Sequence, residues 1–229
     1  MNKKKRILLK LTGEIFNKPS LVTTIIEQIL ALKTTHQFGI VIGGGNFFRG
    51  DIQGKQLDMD TNAAHSVGML ATIMNGLILQ DSATRLNLKT SLFSAVPCPS
   101  LALPISPQTL RTALDQDDTL IFSGGIGSPF FTTDTTAVVR SLQINASALW
   151  KATHVDGIYT ADPHKDTAAD YIPRITFQEA LDKHLAVMDR SAFVLADEHK
   201  KEIRIFNIFM HNALISAAEN ADFGSIIHS

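Results

Sequence analysis

Cysteine is nearly absent from this sequence: Cys98 is the single residue of that type among 229. One cysteine excludes an internal disulfide, and the start of the chain has no apolar core of the kind found in signal peptides. We therefore expect a reducing, cytoplasmic location. Cys98 lies between Pro97 and Pro99 without an evident partner, which favours an ordinary loop residue over a nucleophile.

Long apolar runs and an excess of charge are missing as well. No segment approaches the roughly 18 uninterrupted apolar residues that a membrane-spanning helix needs. The formal net charge is −1 and the pI is about 6.7, so no global field favours nucleic acid or an anionic membrane. Neither kind of partner is expected.

The sequence also lacks an obvious linker. No Pro-, Ser- or Gly-rich stretch and no long charge run marks a boundary, which predicts a single domain over residues 1–229. Hydrophobic residues make up 45% of the chain and charged residues 19%, a globular balance. A chain of this length buries roughly 70% of its unfolded surface, so we expect a sizeable core.

Short apolar runs alternate with helical periodicity along the chain. Strands are predicted at residues 6–12, 38–42, 90–95, 119–122, 148–152 and 203–209, and helices at residues 21–35, 62–86, 108–114, 133–144 and 191–200. Such alternation is typical of an α/β fold with a largely parallel sheet and helices on both faces. Ligands in these folds bind at the carboxyl ends of the strands.

Two glycine-rich loops each follow an apolar strand. The first, at residues 39–50, reads G-I-V-I-G-G-G-N-F-F-R-G, and the second, at residues 123–134, reads S-G-G-I-G-S-P-F-F-T-T-D. Glycine permits positive φ and a close approach of phosphate to successive N–H groups, and Arg49 adds a planar cationic fork. Neither loop has the spacing of a Walker A or dinucleotide motif. Two such loops predict two anionic ligands, although the first could be an ordinary tight turn with a surface arginine.

Charged and hydroxyl side chains beside these loops are further candidates. Lys10, at the tip of the first strand, could neutralise a transferring phosphoryl group or be a plain surface lysine. Thr132 and Thr133 could cap the next helix, bind an anion at its N-terminus, or both. Asp189 suits an N-cap, a role that is compatible with catalysis.

Residues 151–163, K-A-T-H-V-D-G-I-Y-T-A-D-P, form a strand end and a turn. Tyr159 is a candidate for stacking on a base, and Asp156 or Asp162 could accept a hydrogen bond from a sugar hydroxyl or help to hold Mg²⁺. D-G and D-P are also routine turn dipeptides, and both interpretations stay open. His154 has no second histidine at ligand spacing, which argues against a metal site there.

These motifs, with two others, resemble those of the bacterial uridylate kinases, a branch of the amino-acid-kinase superfamily. The match spans nearly the whole chain, in order, and consists of K-L-T-G-E at 10–14, V-I-G-G-G-N-F-F-R-G at 41–50, G-M-L-A-T-I-M-N at 68–75, S-P-F-F-T-T-D at 128–134, residues 151–163 and V-M-D-R-S-A-F at 187–193. The resemblance implies a three-layer αβα fold and transfer of the ATP γ-phosphoryl group to UMP. It also implies Mg²⁺ as cofactor and a homohexamer.

The resemblance assigns roles by position. The implied catalytic residues are Lys10, Arg49, Asp134 and Asp189, the aspartates being associated with Mg²⁺ or with ordering the active-site lysine. The implied ATP-side residues are Lys10, Leu11, Thr12, Gly13, Gly45, Arg49, Thr153, Tyr159 and Asp162. The implied UMP-side residues are Gly44, His65, Ile126, Gly127, Ser128, Pro129, Phe130, Phe131, Thr132 and Thr133. No direct protein ligand of Mg²⁺ is predicted, and we expect the ion on the nucleotide phosphates.

Departures from the family pattern fall on the acceptor side. His65 stands where an aspartate usually binds the UMP ribose, and Thr61 where an arginine is expected. Ile126 and Ser128 replace the threonine and asparagine that would read uracil. Two alternatives therefore remain open: a kinase of the same fold with another phosphorylated acceptor, and a catalytically silent oligomer that binds nucleotide or oxyanion.

Two features concern regulation and assembly. The loop at residues 17–20 is shorter than in relatives that GTP activates, and Gln80 and Thr84 are not basic as they are in some of them, so GTP activation is not expected. The predicted helix at residues 62–86 is apolar over more than one stripe, which favours a subunit contact.

Overall fold

A computed structural model describes residues 4–185 and 187–229 of the chain. The strands in this part are β1 Lys5–Leu11, β2 His36–Ile42, β3 Thr90–Ser94, β4 Leu103–Pro104, β5 Thr119–Ser123, β6 Ala148–Thr153, β7 Ile158–Tyr159, β8 Tyr171–Ile172, β9 Arg174–Thr176, β10 Ile203–Asn207 and β11 Ser225–His228. Nine of them form one sheet in the order β4-β3-β5-β2-β1-β6-β10-β11-β9, and β7 pairs with β8 apart from it.

The central strands all run in the same direction. β1 pairs in parallel with β2 on one side and with β6 on the other, and β2 continues in parallel to β5. Within the nine-stranded sheet the only antiparallel pair between described strands is β10 with β11. Because parallel strands end at one edge, the loops that follow β1, β2, β5 and β6 meet there, as predicted from the alternation.

Seven described helices cover the two faces of this sheet. They are α1 Pro19–Leu32, α2 Thr61–Arg85, α3 Pro107–Asp115, α4 Thr133–Gln143, α5 Phe177–Asp182, α6 Arg190–Glu198 and α7 Ala213–Glu219. Side chains of α1, α2 and α7 pack against one face of the sheet, around Leu9 and Trp150. Side chains of α3, α4, α5 and α6 pack against the other, around Leu8 and Leu149. The predicted three-layer αβα fold with a largely parallel sheet is confirmed.

Side-chain caps fix where several helices begin. Thr132 caps α4 by accepting from the Asp134 N–H, and Asp189 caps α6 by accepting from the Ala192 N–H. Both capping roles were predicted, and both are confirmed. The caps matter for function because each lies at the sheet edge where the loops meet.

The predicted elements are all present in the described part, with shifted ends. The strand predicted at 203–209 stops at Asn207, and the helix predicted at 21–35 spans residues 19–32. Short elements were missed, namely β4, β7, β8, β9, β11, α5 and α7, because two to seven residues carry too little periodicity to be recognised. No helix in the described ranges is long and apolar enough to cross a membrane.

Candidate active site

Two lysines and one aspartate meet at the carboxyl edge of the sheet. Lys10 of β1 lies beside Lys151 of β6 in the strand register. Side chains alternate along a strand, so both lysines share the face of Leu8 and Leu149, which α4 covers. Asp134, in the first turn of α4, forms salt bridges with both ammonium groups. Lys10 Nζ lies 3.1 Å from its Oδ1 and Lys151 Nζ lies 2.7 Å from its Oδ2.

The electrostatics of this trio follow from its burial. Burial lowers the pKa of Lys151, and the charge of Asp134 opposes that shift. Burial alone would raise the pKa of Asp134, but Lys10 and Lys151 outweigh it and bring that pKa below its ordinary value. Two ammonium groups thereby lie together at one carboxylate, and neighbouring cations of this kind suit the oxygens of a phosphoryl group.

Asp189, the N-cap residue of α6, binds the start of α4 beside this cluster. Its carboxylate accepts hydrogen bonds from Thr135 Oγ1 at 2.8 Å, from Thr132 Oγ1 and from the Ala192 N–H at 3.0 Å. It thereby joins the start of α4 to the start of α6. Its charge also opposes the lowering of the Lys151 pKa by burial, so Asp189 acts on the buried lysine through space.

The first glycine loop follows β2 and packs directly on α2. A Cβ at Gly44 would lie 2.9 Å from the Ala71 Cβ and 3.0 Å from the Gly68 carbonyl oxygen, closer than side chains are found. No glycine of this loop has a positive φ, contrary to the sequence interpretation. Close packing on the helix, rather than an unusual φ, is what requires glycine here.

Arg49 closes the first loop. Its Nε donates to the Gly45 carbonyl at 3.1 Å, and its Nη2 pairs with Glu14. Glu14 also pairs with His154, with 2.5 Å between Nε2 and Oε2. Arg49 is thus a half-exposed cation on the wall of the cavity between the glycine loops, held by Glu14 of the turn after β1.

The second glycine loop, after β5, does depend on positive φ. Gly124, Gly125 and Gly127 have φ values of 71°, 58° and 85°. A Cβ at Gly124 would also lie 2.8 Å from the Val96 nitrogen. The loop is held by strained turns that glycine alone adopts cheaply.

A cavity of about 580 Å³ separates the two glycine loops. Of the residues predicted on the UMP side, it is lined by Gly44, His65, Ser128, Phe131, Thr132 and Thr133. Gly45 and Arg49, predicted on the ATP side, line it too. We call it the acceptor cavity.

Four predicted UMP-side residues do not line the acceptor cavity. Ile126 faces a separate cavity of about 440 Å³, together with Cys98 and Arg140. Phe130 packs against the His65 ring, with 5.0 Å between centroids. Gly127 and Pro129 are absent from the walls of the acceptor cavity. Because the positive-φ turns reverse the loop between Gly125 and Ser128, neighbouring side chains point to opposite sides.

A second cavity, of about 480 Å³, lies on the other side of the lysine cluster. Thr153, Tyr159 and Asp162, all predicted on the ATP side, line it, and so does the buried Lys151. The His164 N–H lowers the pKa of Asp162. We call this the donor cavity. Lys151 of the lysine cluster lines it, and Asp134 follows directly on Thr133, which lines the acceptor cavity.

The remaining predicted residues lie at the end of β1 and in the turn that follows it. Leu11 is fully buried in the core, so only its main chain could contact a phosphate. Thr12 accepts weakly from the Glu14 N–H at 3.4 Å. A Cβ at Gly13 would lie 2.4 Å from Asn46 Oδ1, which explains the glycine.

Lys151 is the main candidate site residue that the sequence does not indicate. It falls within the strand predicted at residues 148–152, and in the motif at 151–163 only Tyr159 and the aspartates stand out. A signal was available: a lysine near the end of an apolar strand, like Lys10. Only the pairing of β1 with β6 shows that the two lysines are neighbours.

The model of the amino acid kinase family matches residues 5–207. The chain therefore belongs to the amino acid kinase family. Within it, the chain is 39% identical to the uridylate kinase of Mycoplasma genitalium over 235 residues, which cover 99% of this chain and 96% of that protein.

Two solved structures are similar over almost their full lengths. One is the UMP kinase from Ureaplasma parvum, with a TM-score of 0.93, 35% identity and coverage of 99% of this chain and 100% of that one. The other is the UMP kinase from Bacillus anthracis, with a TM-score of 0.92, 29% identity and coverage of 98% and 96%.

Proposed function

We propose that this chain is an ATP-dependent phosphotransferase that transfers the γ-phosphoryl group of ATP to UMP, giving UDP and ADP. The observation that carries the proposal is the Lys10–Asp134–Lys151 cluster, in which Lys151 lines the donor cavity and Asp134 follows Thr133 of the acceptor cavity wall. The names of the 39%-identical relative and of the two similar structures support UMP as the acceptor.

The chemistry requires no protein nucleophile. The acceptor phosphate oxygen attacks the γ-phosphorus, the bond to the β–γ bridging oxygen breaks, and ADP leaves with that electron pair. Charge spreads over the three equatorial oxygens of the transferring group. Lys10 and Lys151 would neutralise this charge, while Asp134 holds both ammonium groups in place before substrates arrive. Arg49 would contact the phosphates from the acceptor side.

Mg²⁺ fits this site as a partner of the nucleotide. Among the described residues no group of three or more histidine, cysteine or acidic side chains is gathered closely enough to hold a metal. Asp134 and Asp189 are both engaged by neighbouring donors. We propose that the ion enters on the ATP phosphates, where it neutralises part of their charge.

Assembly, location and domain organisation are proposed on separate observations. Leu70, Met74 and Ile78 form an exposed apolar stripe at i, i+4 and i+8 on α2, which supports a homo-oligomer, a homohexamer by resemblance. The single cysteine supports a cytoplasmic location. Both helix layers pack on one sheet, which supports a single domain.

The acceptor remains the part of the proposal most open to test. Ile126 lies outside the acceptor cavity and His65 lines it, which favours a same-fold kinase with another acceptor as the second candidate. ADP release should be measured with MgATP and UMP, then with CMP, dCMP, AMP and GMP. We expect UMP to give the highest kcat/KM, and a Lys10→Ala variant to lose turnover. Faster turnover of another acceptor would favour the second candidate, and no turnover with any acceptor would favour a silent binding protein.

A further inference from the structure

Helix α2 carries two buried polar side chains, one turn apart, that point toward the two glycine loops. Thr72 is 4% exposed and Asn75 is fully buried. Residues three apart on a helix share a face, here the face that packs on the sheet. Burying a polar group costs free energy unless the group is hydrogen-bonded. The hydrogen-bond partners of Thr72 and Asn75 therefore indicate the role of each side chain.

Thr72 holds the second glycine loop. Its Oγ1 donates to the Met69 carbonyl at 2.7 Å and accepts from the Gly124 N–H at 2.8 Å. Gly124 begins the run of positive φ that shapes this loop. A Cβ at Gly76, one turn further along α2, would lie 3.3 Å from the Ser123 Cβ. Helix α2 therefore packs closely against Ser123, the last residue of β5, where the second glycine loop begins.

Asn75 holds the first glycine loop. Its Nδ2 donates to the Gly43 carbonyl at 2.6 Å and to Asn46 Oδ1 at 2.7 Å, while Asn46 Nδ2 donates back to Asn75 Oδ1 at 3.1 Å. The side-chain amide thus uses both of its N–H groups and its oxygen. Residues 43 and 46 bracket Gly44 and Gly45, which line the acceptor cavity.

We propose that Thr72 and Asn75 are positioning residues for phosphoryl transfer, acting together as a clamp on α2 that fixes the distance between the two glycine loops. The proposal rests on the proposed function for its kinetic consequences. Neither residue needs to touch the reacting atoms, because each acts through a main-chain group of a loop. The distance between the loops sets the width of the acceptor cavity. Loss of the clamp should therefore weaken binding of the acceptor more than binding of ATP.

The kinetic test uses one position and a matched control. Thr72→Val keeps the shape but removes the acceptor for the Gly124 N–H, whereas Thr72→Ser keeps the hydroxyl. Thr84→Val on the same helix is the control, since Thr84 is exposed and its hydroxyl donates only to Gln80 within α2. An unpaired buried N–H is expensive, so we expect Thr72→Val to raise the KM for UMP about tenfold and the KM for ATP less than about twofold. Thr72→Ser and Thr84→Val should stay within about threefold of the parent.

Equal KM values for UMP in the Thr72→Val and Thr84→Val variants would overturn the proposal. So would an equal rise in both KM values, because that result indicates a general loss of structure. Rescue by Thr72→Ser supports the proposal, since only the hydroxyl is restored.

Hydrogen–deuterium exchange tests the clamp without relying on catalysis. Thr72→Val should speed amide exchange at residues 123–128 and leave residues 43–48 unchanged. Asn75→Leu should do the reverse, because the Gly43 carbonyl and Asn46 lose their partner. Unchanged exchange in both loops, or a uniform rise over the chain, would refute the clamp. If the parent protein shows no turnover with UMP, the proposed function fails while this exchange pattern still decides the clamp.

Discussion

The proposed chemistry depends on single charged side chains, and Lys151 is the one whose position only the structure reveals. Its ammonium is buried against Asp134, and its side chain lines the donor cavity. Lys151→Met keeps much of the stem but removes the charge, so we expect kcat to fall about 100-fold or more. The KM for UMP should change less than about threefold, because Lys151 lies on the donor side.

Steady-state kinetics with saturating ATP would measure this change. Lys33→Met is the matched control, since the Lys33 ammonium pairs with Asp117, outside both cavities. A kcat for Lys151→Met within threefold of that control would show that Lys10 alone supplies the charge.

The coupling between Asp134 and Lys151 predicts a shift in pH dependence. Lys151 must carry its proton to stabilise the transferring group, so activity should be lost as pH rises through its lowered pKa. Asp134 opposes that lowering. In Asp134→Asn the basic limb of the kcat–pH profile should therefore move to lower pH, in addition to a fall in kcat. A limb that stays in place would mean that another group titrates there.

The same pair predicts a stability effect with a definite sign. The pKa of Asp134 is lower in the folded protein than its ordinary value of 3.8. Its ionised form therefore stabilises the fold above that value, and the contribution is lost as pH falls toward the lowered pKa. Urea unfolding between pH 3 and pH 7 should show a smaller loss of stability on acidification in Asp134→Asn than in the parent protein.

Among the loops, the first glycine loop owes its position to close packing on α2. Gly44→Ala would place a Cβ 2.9 Å from Ala71 and 3.0 Å from the Gly68 carbonyl, and neither neighbour has a flexible end that could yield. We expect a loss of about 1–3 kcal/mol in the free energy of unfolding, as for overpacked sites. The KM for UMP should also rise, because Gly44 lines the acceptor cavity.

Gly68→Ala is the control for the stability effect alone, since Gly68 also lines the acceptor cavity. A Cβ there meets nothing within 4 Å, and alanine is favoured over glycine inside a helix by roughly 1 kcal/mol. The midpoint temperature of thermal denaturation should therefore be lower than that of the parent protein for Gly44→Ala and higher for Gly68→Ala. A Gly44→Ala variant as stable as the parent would mean that the loop can shift away from α2.

Elements with strong local patterns could be predicted from the sequence, whereas features that depend on tertiary pairing could not. The apolar runs of β1, β2, β5 and β6 and the helical periodicity of α1 and α4 identify the alternating strands and helices. The neighbourhood of Lys10 and Lys151 depends on strand order, which no local window contains. The motif match predicts Ile126 on the UMP side. The side chain instead faces a separate cavity, because its direction depends on the three positive-φ glycines around it.

At the scale of the whole molecule, α2 joins the interior of the site to the outer surface. Its inner side carries Thr72 and Asn75, and its outer side carries Leu70 and Met74, which are 52% and 48% exposed. These residues alternate over the same two turns. A second copy of the chain bound to the outer side would therefore contact the same segment of α2 that holds both glycine loops.

Met74→Glu should break such an assembly, because burying an unpaired carboxylate at a subunit contact costs several kcal/mol. Light scattering coupled to size exclusion should show a smaller species than the parent protein. Val194→Glu is the matched control, since Val194 is 51% exposed on α6 in the opposite layer, and it should leave the mass unchanged.

If α2 links assembly to the site, the smaller species should also show a raised KM for UMP, which concentration-dependent kinetics can measure. An unchanged mass for Met74→Glu would exclude this face as the contact, and dissociation with an unchanged KM would show that the clamp holds the loops without a neighbour.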